Sequence, residues 1–249
     1  CKIPFLNGGL FEPLNEYNWI ETDIRIDNKL FEEIFQTFDR YNFTVREDEP
    51  LETEVAVDPE MLGKVFENLI EENERKGRGA FYTPRAIVHY MCQESLINYL
   101  KSSIDIIPLE DIETLIREGD IILELESAIQ TGTDYSPVLM DSIKESAADL
   151  DTALSTIRVC DPAVGSGAFP VGMLSEIVKA REVLQLYSTS NQSTYELKRH
   201  SIQHSLYGVD LDPGAIEIAK LRLWLSLVVD ENDYNTIQPL PNLDYKIMQ

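Results

Sequence analysis

A glycine-containing turn lies where a predicted strand meets a predicted helix, and it reads Asp161-Pro162-Ala163-Val164-Gly165-Ser166-Gly167-Ala168-Phe169. The preceding residues 156–160 are apolar and β-branched, which predicts a strand, and residues 168–187 carry apolar side chains at helical spacing. Glycines let a ligand approach the backbone closely, and a helix N-terminus favours an anionic group. An acid at the strand end can pair with an ammonium or hydroxyl group. The turn therefore suits a zwitterionic ligand with a ribose. The alternative is a tight turn whose glycines serve packing alone.

The strand–turn–helix pattern recurs further along the chain. The pattern of residues 192–203 predicts a polar helix, and that of residues 206–210 predicts a second strand. A further helix is predicted over 213–229, and a third strand over 245–248. This alternation predicts βαβ units and a parallel sheet. A nicotinamide-dinucleotide fingerprint fits the first turn badly, because its third glycine would stand at position 170, which is Pro170.

Two acids compete for a role at the tip of the second strand. Asp210 stands at the strand end, where an acid commonly holds ribose hydroxyls. Asp212 precedes Pro213 and also suits a helix cap.

Helical patterns predominate before residue 154. Apolar stripes predict helices from Asp27 and over 61–70, and a glycine-containing loop leads into a helix over 86–100, capped by Thr83-Pro84. Residues 105–151 hold 13 acidic and two basic residues, a net charge of −11, with an amphipathic helical pattern ended by Gly119. We interpret this stretch as an acidic helical insertion with a solvated outer face.

The composition excludes several classes of protein. The 249 residues carry 44 acidic and 21 basic side chains, which argues against a free-standing, nonspecific DNA-binding domain. Neither the three cysteines nor the pair His200 and His204 has the spacing of a complete metal site, so no metal is predicted. No apolar run approaches the ~18 residues of a membrane span, and cysteine usage indicates the cytoplasm. The chain starts at Cys1 without Met, so we expect a piece of a longer protein.

Two motifs carry a family resemblance. Asp-Pro-Ala-x-Gly-Ser-Gly-Ala-Phe at 161–169 and Gly-Val-Asp-Leu-Asp-Pro at 208–213 resemble motifs I and II of the amino-group DNA methyltransferases, which use S-adenosylmethionine. The loop at 79–85 with the helix at 86–100 resembles their motif X. The order X, I, II is that of the γ-class adenine-N6 enzymes. Residues 6–12 and 57–63 are similar to the helical lead of type IIG restriction–modification and BREX-like phage-defence proteins.

The resemblance implies an α/β fold. A helical N-terminal segment, 1–78, would precede a partial methyltransferase domain, 79–249, that holds the first half of a Rossmann-like sheet, with strand order beginning 3-2-1. Within it, 79–101 would be the motif X loop and helix, 102–153 the acidic helical insertion, and 154–249 the part with motifs I and II. The implied cofactor is S-adenosylmethionine, with these binding residues: Tyr82, Thr83, Asp161, Pro162, Ala163, Gly165, Gly167, Phe169, Asp210 and Leu211.

The same resemblance implies a role for each binding group. Tyr82 and Thr83 would border the methionine end of the cofactor. Asp161 and the backbone of the turn, at residues 163, 165 and 167, would wrap its amino and carboxylate groups. Asp210 would hold the ribose hydroxyls, and Leu211 would pack on the adenine. The two aromatic residues, at 82 and 169, also suit the simpler role of anchoring on the core.

One family motif is missing. The (Asn/Asp/Ser)-Pro-Pro-(Tyr/Phe) motif grips a flipped-out base, but no Pro-Pro dipeptide occurs in this chain. The resemblance therefore implies the cofactor-binding part of a site-specific DNA adenine-N6 methyltransferase of a bacterial restriction–modification or phage-defence system, without a catalytic residue and inactive alone. Double-stranded DNA would be bound through other parts of the full-length protein. Two alternatives stay open: a methyltransferase acting on protein or RNA, and a non-catalytic module that uses the acidic insertion as a partner surface.

Overall fold

The computed structural model describes residues 25, 27–38, 63, 83–130, 139–188, 190–228 and 241–249. Predictions for residues 6–12, for the loop at 77–82 and for the helix at 61–70, apart from helical Gly63, lie outside the described residues. The strands are β1 (Val159–Asp161), β2 (Leu206–Val209) and β3 (Ile247–Met248). The helices are α1 (Asn28–Phe38), α2 (Arg85–Ser103), α3 (Leu109–Arg117), α4 (Gly119–Gln130), α5 (Asp141–Glu145), α6 (Ala147–Thr156), α7 (Ala168–Gln185), α8 (Thr194–His204) and α9 (Pro213–Val228).

The three strands form one parallel sheet in the order β1-β2-β3. Val159 pairs with Leu206, and Gly208 pairs with Ile247. Because parallel strands run in the same direction, the turns that follow β1 and β2 emerge at the same edge of the sheet. The predicted parallel pairing is confirmed within a helix-rich structure.

The core of the described chain is built around α7. Helices α2, α3, α4, α6, α8 and α9 all pack against it, and Leu174 and Ile177 on α7 are fully buried. The approach of α2 is close, since a Cβ at Gly172 would lie 2.8 Å from Val88 Cγ1. This packing fixes α2 relative to the glycine turn, which directly precedes α7.

The acidic segment folds into the helices α3 to α6, as its amphipathic pattern predicts. Its apolar residues Ile112, Leu115 and Ile116 are fully buried. Two ion pairs also join it to α7: Lys179 Nζ lies 3.4 Å from Asp120 Oδ2, and Arg181 Nε lies 2.7 Å from Asp151 Oδ1. The segment is therefore part of the core on one face.

The Arg181 pair is expected to support the stability of the fold. Arg181 is 3% exposed and also donates to Gln192 Oε1 at 3.1 Å. Losing one partner of a buried pair costs about 3–5 kcal/mol, and partial exposure of Asp151 offsets some of this, so Arg181→Met should lower the free energy of unfolding by about 2–3 kcal/mol in a urea titration. Arg158→Met, at an exposed site, is the matched control and should change it by less than about 0.5 kcal/mol. Equal losses in the two variants would contradict this role.

One predicted boundary is wrong. The strand was predicted from residue 156, but α6 continues through Thr156, whose hydroxyl donates to the Thr152 carbonyl at 2.8 Å. The strand begins at Val159, where pairing with β2 begins. The predicted helix end at Gly119 is confirmed, because α3 ends at Arg117 with Glu118 as its C-cap residue, and Gly119 then begins α4.

The predicted helix after Asp27 is confirmed as α1. Asp27 Oδ1 accepts the N–H of Lys29 at 3.0 Å, which satisfies a backbone donor at the helix start. The apolar stripe of α1 is exposed, with Leu30, Phe31 and Phe35 among its members. Neither α1 nor any other helix among the described residues is long and apolar enough to cross a membrane.

Candidate cofactor site

The glycine turn is tied to β2 by backbone hydrogen bonds. The Val164 N–H donates to the Val209 carbonyl at 2.9 Å, and the Gly167 N–H donates to the Val164 carbonyl at 2.9 Å. Gly165 and Gly167 have φ values of +51° and +88°, a region that side chains rarely adopt. Gly167 is the N-cap residue of α7. The turn therefore leads directly into a helix N-terminus, where the Ala168 and Phe169 N–H groups precede the first intrahelical hydrogen bond, from Val171 to Gly167, and where the positive end of the helix dipole lies.

The two glycines serve different purposes. A Cβ at Gly167 would lie 2.9 Å from both Cα and Cβ of Ala219 on α9, so a side chain there has no room. A Cβ at Gly165 would have no neighbour within 4 Å among the residues that the structure describes. Gly167 thus allows close helix packing, whereas Gly165 borders open space that a ligand could occupy. The alternative interpretation, in which the glycines serve packing alone, therefore explains Gly167 but not Gly165.

Asp161 places a carboxylate in a partly buried position at the end of β1. Its Oδ1 accepts the Ala163 N–H at 3.0 Å. Its Oδ2 is buried and accepts no hydrogen bond in the described part of the chain. Burial raises the pKa of Asp161; the Ala163 hydrogen bond opposes this shift, and the nearby Asp210 charge adds to it. A buried carboxylate oxygen without a partner is costly for the protein alone and would be stabilised by a cation.

Asp210 joins the turns that follow β1 and β2. Its Oδ2 accepts the Gly165 N–H at 2.8 Å, and its Oδ1 accepts the Asp212 N–H at 2.9 Å. Asp212 has a different task, because its Oδ1 accepts the N–H groups of Gly214 and Ala215 at 2.8 and 3.3 Å and so caps α9. The competition between the two acids is thereby decided in structural terms: Asp212 is the cap, and Asp210 faces the glycine turn.

The backbone N–H groups of the turn are already used within the protein. Those of Ala163, Gly165 and Gly167 donate to Asp161, Asp210 and Val164, respectively. These three residues can therefore offer a ligand close approach and carbonyl oxygens, while N–H donors for an anion would come from the first turn of α7.

The other predicted site residues are less closely grouped. Pro162 and Ala163 are exposed beside Asp161, and Leu211 is 92% exposed just after Asp210. Thr83 is half-buried before Pro84, which is the N-cap residue of α2 and makes no side-chain capping hydrogen bond. The predicted position of this cap is right, but the cap lacks its hydrogen bond. Tyr82 lies outside the described residues.

A cavity of about 220 Å³ lies between α2, β1, α7 and β2. Asp161, Phe169, Met91 and Cys92 are among its lining residues, so the motif X helix and the glycine turn meet there. Phe169 is half-buried against the core and also lines the cavity, which fits both of its predicted roles. Burial, with the charges of Glu176 and Asp161, raises the pKa of the Cys92 thiol to about 12. Cys92 is therefore protonated at neutral pH and is no nucleophile.

Comparison with known proteins relates the chain to one family. Residues 139–240 match the family model for the MmeI DNA-methyltransferase domain. The chain is also 34% identical, over 252 residues, to a Methanocaldococcus jannaschii protein whose name describes a type II restriction enzyme and methyltransferase. The chain is thus similar to DNA methyltransferases of restriction–modification systems. This similarity covers 98% of the chain but 20% of the relative, so the chain spans about a fifth of the relative's length. No solved structure is significantly similar to the chain.

The residue range matched by the family model includes the residues of the site described above. The matched range contains the glycine turn, Asp161, Asp210 and Asp212. Within the described residues, no group of histidine, cysteine and carboxylate side chains could hold a metal ion. His200 and His204 stack with ring centroids 4.8 Å apart, and His200 Nδ1 lies 3.5 Å from Arg181 Nη1.

Two residues that contact the turn were missed from the sequence. The buried Arg222 donates from Nη1 to the Ser166 carbonyl at 3.0 Å. Gly63 also lies against Ser166. Because Arg222 is a charged residue within the apolar helical pattern of 213–229, the sequence could have indicated that it is buried beside a hydrogen-bond partner. Nothing local to Gly63 indicates its neighbour, because the two residues are far apart in sequence.

Proposed function

We propose that this chain binds S-adenosylmethionine and is the cofactor-binding part of a site-specific DNA adenine-N6 methyltransferase. The observation that carries the proposal is the buried Asp161 Oδ2, which has no hydrogen-bond partner among the described residues. It lies in the same turn as Gly165, whose Cβ position has open space around it within that part of the chain. The arrangement suits an ammonium group beside Asp161, with the rest of a ligand passing over Gly165. The restriction–modification relatives support this ligand over other zwitterions.

The charges and polarity of the neighbouring residues fit the rest of this cofactor. An anionic carboxylate group would be favoured at the N-terminus of α7. Each Asp210 oxygen accepts one N–H group and keeps a further lone pair for a ribose hydroxyl. Leu211 is 92% exposed immediately beyond, so a planar apolar ring could cover it. These groups follow one another in the order ammonium, ribose and base from Asp161 to Leu211.

The contribution of this chain to the reaction would be positioning. When bound, S-adenosylmethionine supplies a methyl group activated by the positive charge of its sulfur. Asp161 and Asp210 would hold the two ends of the methyl donor, and the rigid glycine turn would fix its orientation, which is a large part of the rate gain in direct transfers. The chain has no Pro-Pro motif to grip a base. We therefore propose that the target adenine is held by other segments and that the 249 residues are inactive alone.

The restriction–modification family supports DNA as the substrate in preference to protein or RNA. The γ-class order of motifs X, I and II supports adenine N6 as the target atom. We place the reaction in the cytoplasm, on double-stranded DNA, and retain 1–78 and 79–249 as the domain division. The test is mass spectrometry of nucleosides from DNA treated with the full-length protein. N6-methyladenine is expected, whereas methylation of protein or RNA alone would overturn the proposal.

Asp161→Asn should separate binding from stability. The asparagine keeps an oxygen for the Ala163 N–H but loses the buried charge, so the free protein should be equally or more stable at neutral pH, while S-adenosylmethionine affinity falls about tenfold or more, or about 1.4 kcal/mol. Calorimetric titration and thermal unfolding measure the two effects. A variant that loses affinity and stability together would indicate a purely structural Asp161.

The raised pKa of Asp161 also predicts a pH dependence. Because the folded protein holds this proton more tightly than the unfolded chain, the Asp161 contribution to stability falls as pH rises from the ordinary aspartate pKa of 3.8 through the raised folded pKa. Binding of an ammonium group needs the ionised form, so affinity should weaken as pH falls through the same folded pKa. Asp161→Asn should flatten that dependence, and an unchanged pH profile in the variant would contradict it.

A further inference from the structure

The buried side of the glycine turn is held by a second set of contacts. Ser166, between the two glycines, is 4% exposed, and its carbonyl accepts a hydrogen bond from Arg222 Nη1 at 3.0 Å. Arg222 lies on α9 and is 2% exposed. Burying a guanidinium is costly unless it is hydrogen-bonded. A charged side chain of this kind at the rear of a ligand loop therefore needs an explanation beyond packing.

The peptide bond between Ser166 and Gly167 is fixed at both of its polar ends. Arg222 holds its carbonyl, and its N–H donates to the Val164 carbonyl. The peptide group is planar, so these two bonds set its orientation. The preceding Gly165 N–H is held by Asp210. Asp210 and Arg222 thus both lie beyond the turn and orient its glycine peptides through hydrogen bonds.

Gly63 completes the contact from the N-terminal part of the chain. It is buried and helical, and a Cβ there would lie 2.7 Å from Ser166 Oγ, 3.3 Å from Ser166 Cβ and 3.4 Å from Arg222 Nη1. Glycine lowers helix stability relative to alanine. Its presence here is explained by the space that Ser166 and Arg222 occupy.

We propose that Gly63 and Arg222 are positioning residues for the methyl donor, acting through Ser166. They form a brace, defined as Gly63, Ser166 and Arg222, that holds the turn in its ligand-binding shape from the buried side. Neither Gly63 nor Arg222 needs to touch the ligand. This inference rests on the proposed function, because it assigns the brace to S-adenosylmethionine binding.

A double-mutant cycle between Gly63 and Ser166 tests the brace. In Gly63→Ala the added methyl should push Ser166 and weaken S-adenosylmethionine binding about tenfold, measured by calorimetry at a temperature where every variant is folded. Ser166→Ala removes the oxygen nearest to that methyl, so Gly63→Ala/Ser166→Ala should bind at least threefold more tightly than Gly63→Ala. Gly119→Ala is the matched control, because its Cβ would meet Lys179 Cγ at 3.1 Å, on a flexible side chain away from the turn. Its affinity should be unchanged.

Hydrogen exchange provides a readout that does not depend on the ligand. The Gly165 and Gly167 amides should exchange faster in Gly63→Ala and in Arg222→Lys, which cannot keep the planar guanidinium geometry, and not in Gly119→Ala. If S-adenosylmethionine binds neither to the unmodified chain nor to the chain extended past Gln249, the proposed function and the brace both fail. If it binds and Gly63→Ala binds equally well, only the brace is overturned. The brace is also overturned if Gly63→Ala and Gly63→Ala/Ser166→Ala lose affinity equally, or if amide exchange is unchanged in Arg222→Lys.

Discussion

Replacing Asp210 with alanine is expected to weaken S-adenosylmethionine binding about fiftyfold or more. The carboxylate has two tasks in the proposed site. It holds the Gly165 N–H and the Asp212 N–H at 2.8 and 2.9 Å, and it would accept the ribose hydroxyls. Hydrogen bonds to a charged group contribute about 1.5–3 kcal/mol each. Asp210→Ala would lose both the ribose hydrogen bonds and the link between the turns, so the loss of binding free energy should exceed that of a single contact. Calorimetric titration of the variant measures this loss.

Asp212→Ala is the matched control for Asp210→Ala. The two acids lie two residues apart, but Asp212 caps α9 through the Gly214 and Ala215 N–H groups. Loss of a cap should lower the free energy of unfolding by about 1 kcal/mol and change affinity by less than threefold. Similar affinity losses in the two variants would mean that the acids act only through the shape of this loop.

Alanine at Gly167 is expected to give the largest loss of stability among the turn variants. The residue has φ +88°, and the new Cβ would lie 2.9 Å from Ala219 Cα. Left-handed strain of about 1–2 kcal/mol and overpacking of about 1–3 kcal/mol predict a fall of about 3 kcal/mol in the free energy of unfolding. Urea denaturation of the ligand-free chain measures this directly.

Gly165→Ala is the paired variant, with the opposite balance of effects. Its Cβ would meet no atom of the described part of the chain within 4 Å, so strain at φ +51° alone should cost about 1 kcal/mol. The methyl group would stand where the proposed ligand passes, so affinity should fall at least tenfold. If Gly165→Ala keeps full affinity, the ligand does not pass over this glycine, and the proposed site is wrong in that respect.

Local sequence signals predicted the elements around the turn. The parallel pairing of the strands, the helix after the glycines and the helices of the acidic segment are confirmed. These features depend on short-range patterns: alternating strands and helices, apolar spacing, and glycine or proline at turns. The ends of elements were predicted less well. The strand at β1 begins at Val159, where its partner strand begins to pair, and no local pattern marks that residue.

Features set by distant contacts could not be predicted in the same way. The sequence left Asp210 and Asp212 in competition at the strand tip, and the hydrogen bonds to Gly165 and to the start of α9 separate them. The contacts of Gly63 and Arg222 with Ser166 connect residues far apart in the chain. The assignment of every site residue to the cofactor, with Thr83, Leu211 and Tyr82 among them, stays a prediction, because it rests on the family resemblance.

The most direct test of the central proposal is calorimetric titration of S-adenosylmethionine into the 249-residue chain. The proposal predicts one bound molecule per chain, displacement by the demethylated product, and loss of the signal in Asp210→Ala. The same titration on the chain extended past Gln249 shows whether further segments are needed to complete the pocket. Binding in either form that Asp210→Ala abolishes would support the site. Absence of binding in both forms, or binding that Asp161→Asn and Asp210→Ala leave unchanged, would contradict it.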